Sequence, residues 1–86
     1  MKVVELRELS RREAPIHYIG EYTAVAVLES LGRKAEADIA FTLERRPVGP
    51  PAIRVRVLDP VDWPLLPVVS AIRDHLAELD RKGQLL

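Results

Sequence analysis

Four arginines near a proline-rich segment are the first residues here whose type and spacing suggest a chemistry. Two begin the loop RRPVGPPA (45–52) and two lie in the run IRVRVL (53–58) that follows it: Arg45, Arg46, Arg54 and Arg56. Guanidinium groups on one sheet surface bind phosphates of RNA or DNA, so these residues form a candidate nucleic-acid-binding site. The whole chain disfavours nucleic acid as a partner, because 13 basic residues are balanced by 13 acidic ones and nucleic-acid binders ordinarily carry surplus positive charge.

Catalytic and metal-binding residue types are too scattered to predict a reactive site. The turn DPVD contains Asp59 and Asp62, a pair that could bind a cation or transfer protons, but Asp also commonly begins turns and caps helices. The histidines His17 and His75 are far apart, whereas a zinc site needs three or four ligands at fixed spacings. The glycines form no phosphate loop and no esterase-type turn around a serine. We therefore expect a protein that is not an enzyme, with no catalytic residue, metal or cofactor.

The elements that position these residues begin with a long strand. Even-numbered residues from Ile16 to Leu28 are apolar or small, and odd-numbered ones are mixed, which indicates a strand with one buried face. Gly20 lies between Tyr18 and Tyr22 on that face, and aromatic rings can cover the gap that a glycine leaves in a strand.

A second strand follows after a tight turn at Gly32. Its apolar positions alternate from Ala35 to Leu43. If Gly32 and Arg33 are the two turn residues, Leu28 lies opposite Ala37, Ala26 opposite Ile39, Ala24 opposite Phe41 and Tyr22 opposite Leu43. This register places both apolar faces on the same side of the sheet.

The run IRVRVL predicts a third strand, with its two arginines on the outer side. If Leu43 pairs with Ile53, Arg54 lies opposite Thr42 and Arg56 opposite Ala40. Glu44 and Asp38 are then diagonal neighbours, and cross-strand ion pairs would neutralise both arginines.

The first dozen residues are ambiguous. Val3, Leu6 and Leu9 are spaced three apart, as on a helix face, although the pair Val3–Val4 suits a strand. We favour a short strand. Ser10 and Glu13 have capping-box spacing, but Pro15 follows so closely that a turn is the better prediction.

The last segment predicts one long helix across the apolar face. At helical spacing one stripe contains Leu65, Val68, Val69, Ile72, Leu76 and Leu79. Asp62 is positioned to cap the helix, and Gly83 suits the position just past its end, where Leu85 can return to the core.

The stretch DWPLLP (62–67) precedes this helix and holds the only tryptophan. We favour the interpretation that Trp63 folds back over the end of the sheet. Two alternatives remain: Trp63 and Leu66 lie in a homo-oligomer interface, where tryptophan is enriched, or PLLP is a ligand for an aromatic groove.

The outer sheet face is the other candidate interface, because Val25, Val27 and Ala40 form an apolar patch among charged residues. For a chain of 86 residues without cysteine, oligomerisation is a common source of added stability. The candidate interface residues are therefore Val25, Val27, Ala40, Trp63 and Leu66.

Together these patterns predict a single domain over residues 1–86. We expect a two-layer α+β fold, with an antiparallel sheet of three strands, or four with the N-terminus, packed on one C-terminal helix. The expected function is a small non-catalytic binding or assembly module that self-associates. The alternative is a nucleic-acid-binding module that uses the arginines of the second hairpin. The first nine residues include acids where a secretion signal needs an apolar run, and no run is long enough to span a membrane, so we expect a cytoplasmic protein without a membrane partner.

Overall fold

The computed structural model describes residues 1–12, 18–59 and 62–85 and shows a four-stranded antiparallel sheet with one helix. The strands follow chain order, and the elements are β1 Lys2–Arg12, β2 Ile19–Ser30, β3 Arg33–Glu44, β4 Ala52–Val57 and α1 Leu65–Arg81. The predicted α+β fold is confirmed, with the N-terminus as the fourth strand. The expected strand start at Ile16, the turn at Pro15 and His17 lie outside the described residues.

The turn between β2 and β3 differs from the prediction by its position. Its two central residues are Leu31 and Gly32, with φ angles of 50° and 77°, because Ser30 pairs with Arg33. Positive φ at both central positions is the geometry of a type I′ turn, which fits the twist of the flanking strands. The predicted register is therefore wrong by two residues, and Tyr22 lies opposite Phe41 rather than Leu43. A shift of two keeps every side chain on its predicted face.

The predicted register of β4 is confirmed. Leu43 pairs with Ile53, Thr42 with Arg54 and Ala40 with Arg56. The expected diagonal ion pairs are not formed, since neither arginine has an ion pair among the residues that the structure describes.

Strand β1 is longer and less regular than predicted. It continues through Ser10 to Arg12, where the sequence predicted a turn. Its pairing with β2 shifts between Val3 and Glu5 and again between Arg7 and Ser10. Each shift is a β-bulge, which inserts an extra residue into one strand.

Helix α1 begins without the predicted aspartate cap. Its N-cap position is Pro64, with no side-chain cap hydrogen bond, and Pro67 fits the first turn because that turn's N–H groups lack helical partners. Leu65 is 60% exposed, so its predicted core position is wrong. At the other end Gly83 has φ 70° and the Gly83 and Gln84 N–H groups donate to the carbonyls of Asp80 and Leu79, which is a Schellman motif.

The core lies between the helix and the inner face of the sheet. From the helix it takes Val68, Ile72 and Leu76, all fully buried. Tyr22 and Phe41 stack across β2 and β3 with ring centroids 4.8 Å apart. Trp63 and Leu85 are half-buried and pack against this cluster.

Candidate interaction surface

The outer face of the sheet, opposite the helix, has an apolar middle. Val25 and Ala40 are half-buried, and Val27 is only 9% exposed. Arg7 of β1 forms an ion pair with Glu36 of β3. Because Arg7 lies opposite Val25 and Glu36 opposite Val27, the arginine side chain must cross β2 beside these valines. Part of the apolar patch is thus covered by the chain's own side chains.

Arginines surround a shallow depression at one end of this face, which we call the basic half. The depression measures about 440 Å³. Its outward-pointing lining residues are Arg12, Glu21, Thr23, Ala40, Thr42, Arg54 and Arg56. None of the three arginines has an ion pair within the described part of the chain. Their guanidinium groups can therefore accept carboxylate or phosphate oxygens from a partner.

Carboxylates gather towards the hairpin tip in what we call the acidic half, which contains Glu5, Glu8, Glu36, Asp38 and Asp59. A hydrogen bond with Asp59 raises the pKa of Asp38, and the charges of Asp59, Glu8 and Glu36 add to this effect. Neighbouring carboxylates disfavour one another's ionised form. This half therefore attracts cationic groups.

Of the two arginines that precede β4, Arg45 already has a partner. Its guanidinium donates two hydrogen bonds to the carboxylate of Asp80 near the end of α1, at 3.0 and 2.6 Å. These bonds raise the pKa of Arg45. Arg46 is exposed in the loop. The structure thus brings Arg54 and Arg56 together on the sheet and holds Arg45 against the helix.

The two candidate interface residues of DWPLLP point in different directions. Trp63 packs against the core, whereas Leu66 is 82% exposed. Trp63 also lines a small depression with Met1, Leu31 and Pro64. Leu31 is 99% exposed and Met1 45%, so several apolar groups lie at this end of the molecule.

Residue types with catalytic or metal-binding potential form no constellation within the described residues. No group of three or more His, Asp or Glu side chains there is placed to hold a metal ion. Burial and the charge of Lys82 lower the pKa of His75, which keeps its imidazole neutral. Asp62 is exposed, and Asp59 faces Asp38. No helix in this part of the chain combines the length and apolar character needed to cross a membrane.

Sequence reasoning missed Arg12 and Glu8 as members of the outer face. Both lie on β1, and their facing depends on its bulge between Arg7 and Ser10. The positive φ of Glu8, 55°, belongs to that bulge. The signal was the three-residue spacing of Val3, Leu6 and Leu9, which a doubly bulged strand satisfies as well as a helix does.

Comparison with known proteins identifies a family for this chain. The family model matches residues 1–81, which is nearly the whole chain. The family's description consists of the letters BB and a serial number, and it names no activity. No curated protein and no solved structure matches significantly.

Proposed function

We propose that this chain, which belongs to the family whose model matches residues 1–81, is a small non-catalytic assembly module that self-associates through the outer face of its sheet. The main support is that this face has no covering layer among the described residues, although half-buried Val25 and Ala40 lie at its middle. Sheets with one helical layer commonly leave the second face polar. An apolar strip within a charged border is typical of a protein interface.

The size of the face is adequate for such an interface. Twelve-residue strands at about 3.4 Å per residue span ~40 Å, and four strands spaced about 4.8 Å apart span ~19 Å. The product is roughly 700 Å², which is close to the ~800 Å² that each partner contributes to a standard interface.

Sedimentation velocity over a concentration series tests self-association directly. We expect the wild type to form a dimer whose fraction rises with concentration. Val25→Glu should weaken the dimer about tenfold or more, because a charge is buried without a partner. Val48→Glu is the matched control, since Val48 is 87% exposed in a loop. A wild type that stays monomeric at the highest concentration contradicts the proposal.

Leu66→Glu separates the two candidate interfaces. If this variant dissociates the dimer and Val25→Glu does not, self-association stands but uses the apolar end with Leu66 and Trp63. Circular dichroism of each variant confirms that the fold is kept.

Nucleic-acid binding is the second candidate, and the depression lined by Arg12, Arg54 and Arg56 favours it. Single-strand binders also stack bases on exposed rings, and here Tyr22 and Phe41 are buried on the inner face. A mobility-shift assay at low salt, with Arg54→Glu/Arg56→Glu as the comparison, tests this candidate. Absence of a shift at low salt rejects it, because phosphate contacts are strongest there.

The expected cytoplasmic location is part of the same proposal. It is tested by fractionation of cells that produce the protein at its natural level, where recovery in a membrane or extracellular fraction would contradict it.

A further inference from the structure

The charged side chains of the outer face are segregated along the strand direction. The lining of the arginine depression in the basic half contains three arginines and one carboxylate, that of Glu21. The acidic half contains five carboxylates and Arg7, which pairs with Glu36 and approaches Glu5 at 3.9 Å. The face therefore has a positive end and a negative end.

The boundary between the halves coincides with the apolar middle. Thr23 lies opposite Ser10 and Ala40 in the last row of the basic half. Val25 lies opposite Arg7 and Asp38 in the first row of the acidic half. A two-fold axis across the strands, between these two rows, exchanges the basic and acidic halves of two stacked copies. An axis along the strands instead places each half on its like, which is repulsive.

We propose that two copies of this chain pack outer face to outer face about the axis that crosses the strands, so that each basic half meets the acidic half of the other copy. This inference rests on the proposed function and specifies its partner and geometry. Arg56, in the row of Ala40, faces the region of Asp38 and Asp59 in the second copy. Arg12 faces the region of Glu5. Such an interface is isologous, as in most soluble homodimers.

Charge-swapped variants test this arrangement. The acidic variant is Arg54→Glu/Arg56→Glu, and the basic variant is Asp38→Lys/Asp59→Lys. Each alone places like charges in contact at both ends of the interface, and we expect its dimerisation to weaken about tenfold or more. An equimolar mixture restores attraction at both ends, so it should recover a dimer with one copy of each variant. Native mass spectrometry identifies that species by its mass, and sedimentation measures its affinity.

Two further measurements support the design. Arg73→Glu and Asp74→Lys, both on exposed positions of α1, are matched controls that should dimerise like the wild type. Added salt should weaken the wild-type and mixed dimers alike, because it screens charges at the rim of an interface.

The outcomes separate this inference from the proposed function. If the wild type dimerises but each variant alone does so equally well, or if mixing fails to restore the dimer, the association uses another surface and the inference is wrong. If the wild type is monomeric, the proposed function itself fails. A monomeric wild type that shifts single-stranded nucleic acid at low salt assigns the face to nucleic acid instead.

Discussion

At the scale of single residues, the turn between β2 and β3 contains a side chain that its backbone conformation does not favour. Leu31 has φ 50° and is 99% exposed, so it gains almost nothing from packing. The left-handed conformation costs about 1–2 kcal/mol for a residue with a Cβ atom. Asparagine tolerates it, and Asn-Gly is a preferred type I′ pair.

We therefore predict that Leu31→Asn raises the free energy of unfolding by about 1 kcal/mol. Urea denaturation followed by circular dichroism measures the change. Leu31→Ala is the control, because alanine retains the conformational cost and should give little gain. Equal stabilisation by both substitutions would show that the backbone conformation is not the cause.

Gly20 is required by the ring of Tyr22 on the same strand. A Cβ atom at Gly20 would lie 2.8 Å from Cε1 and 3.1 Å from the hydroxyl oxygen of Tyr22. The ring has little freedom to move, since it is 5% exposed and stacks on Phe41. The sequence suggested that aromatic rings cover this glycine, and Tyr22 does so.

Gly20→Ala should destabilise the protein by about 1–3 kcal/mol through overpacking. The same substitution in a Tyr22→Leu background should cost clearly less, because the ring is gone. Thermal denaturation of the four proteins in this double-mutant cycle measures the difference. An equal cost in both backgrounds would contradict the proposed clash.

The acidic half predicts a pH dependence that belongs to Asp38. Its pKa is raised above 3.8, chiefly by the hydrogen bond with Asp59. A raised pKa in the folded state gives stability that is full below 3.8 and is lost as the pH rises through the folded-state pKa. Ionised Asp38 is thus a source of repulsion at neutral pH.

Asp38→Asn should consequently raise the midpoint of unfolding at neutral pH and have little effect below pH 3.8, the ordinary pKa of the group. Urea titrations at several pH values measure this difference. Glu44→Gln on the same strand controls for the loss of any one carboxylate. A constant difference at all pH values would reject the linkage to Asp38.

At the scale of elements, β1 explains why its own sequence was ambiguous. Val3, Leu6 and Leu9 all pack against the core from a strand, although strand neighbours on one face are two residues apart. One extra residue in each interval, at the two register shifts, converts a spacing of two into three. The same bulges distort the outer edge of β1, which disfavours edge-to-edge aggregation.

Helix α1 is fixed at its C-terminal end by the pair between Arg45 and Asp80. The Asp80 side chain is 11% exposed and that of Arg45 59%, so the pair is partly solvated. We predict a coupling energy of about 1 kcal/mol from a double-mutant cycle with Arg45→Ala and Asp80→Ala. Arg46→Ala, the neighbouring exposed arginine, should leave stability unchanged. Additive effects of Arg45→Ala and Asp80→Ala would show that this pair does not hold the helix.

At the scale of the whole molecule, the four strands and one helix leave one sheet face without a covering layer in the described residues. Its charges are separated into halves by the order of the strands, not by sequence. Arg12 and Arg54 are far apart in the chain, yet they line the same depression. The charge-swap experiment therefore tests a property that only the assembled sheet possesses.

The two-residue alternation of β2, β3 and β4 and the stripe of α1 determined which side chains are buried. They also determined the α+β class, because hydrophobic burial depends on periodicity and tolerates a register shift of two. The tertiary structure decided what periodicity leaves open. The position of the turn at Leu31, the bulges of β1 and the contact of Arg45 with Asp80 depend on backbone twist and on partners distant in the chain. The two-ended charge pattern of the outer face follows from those long-range pairings, and local sequence does not encode it.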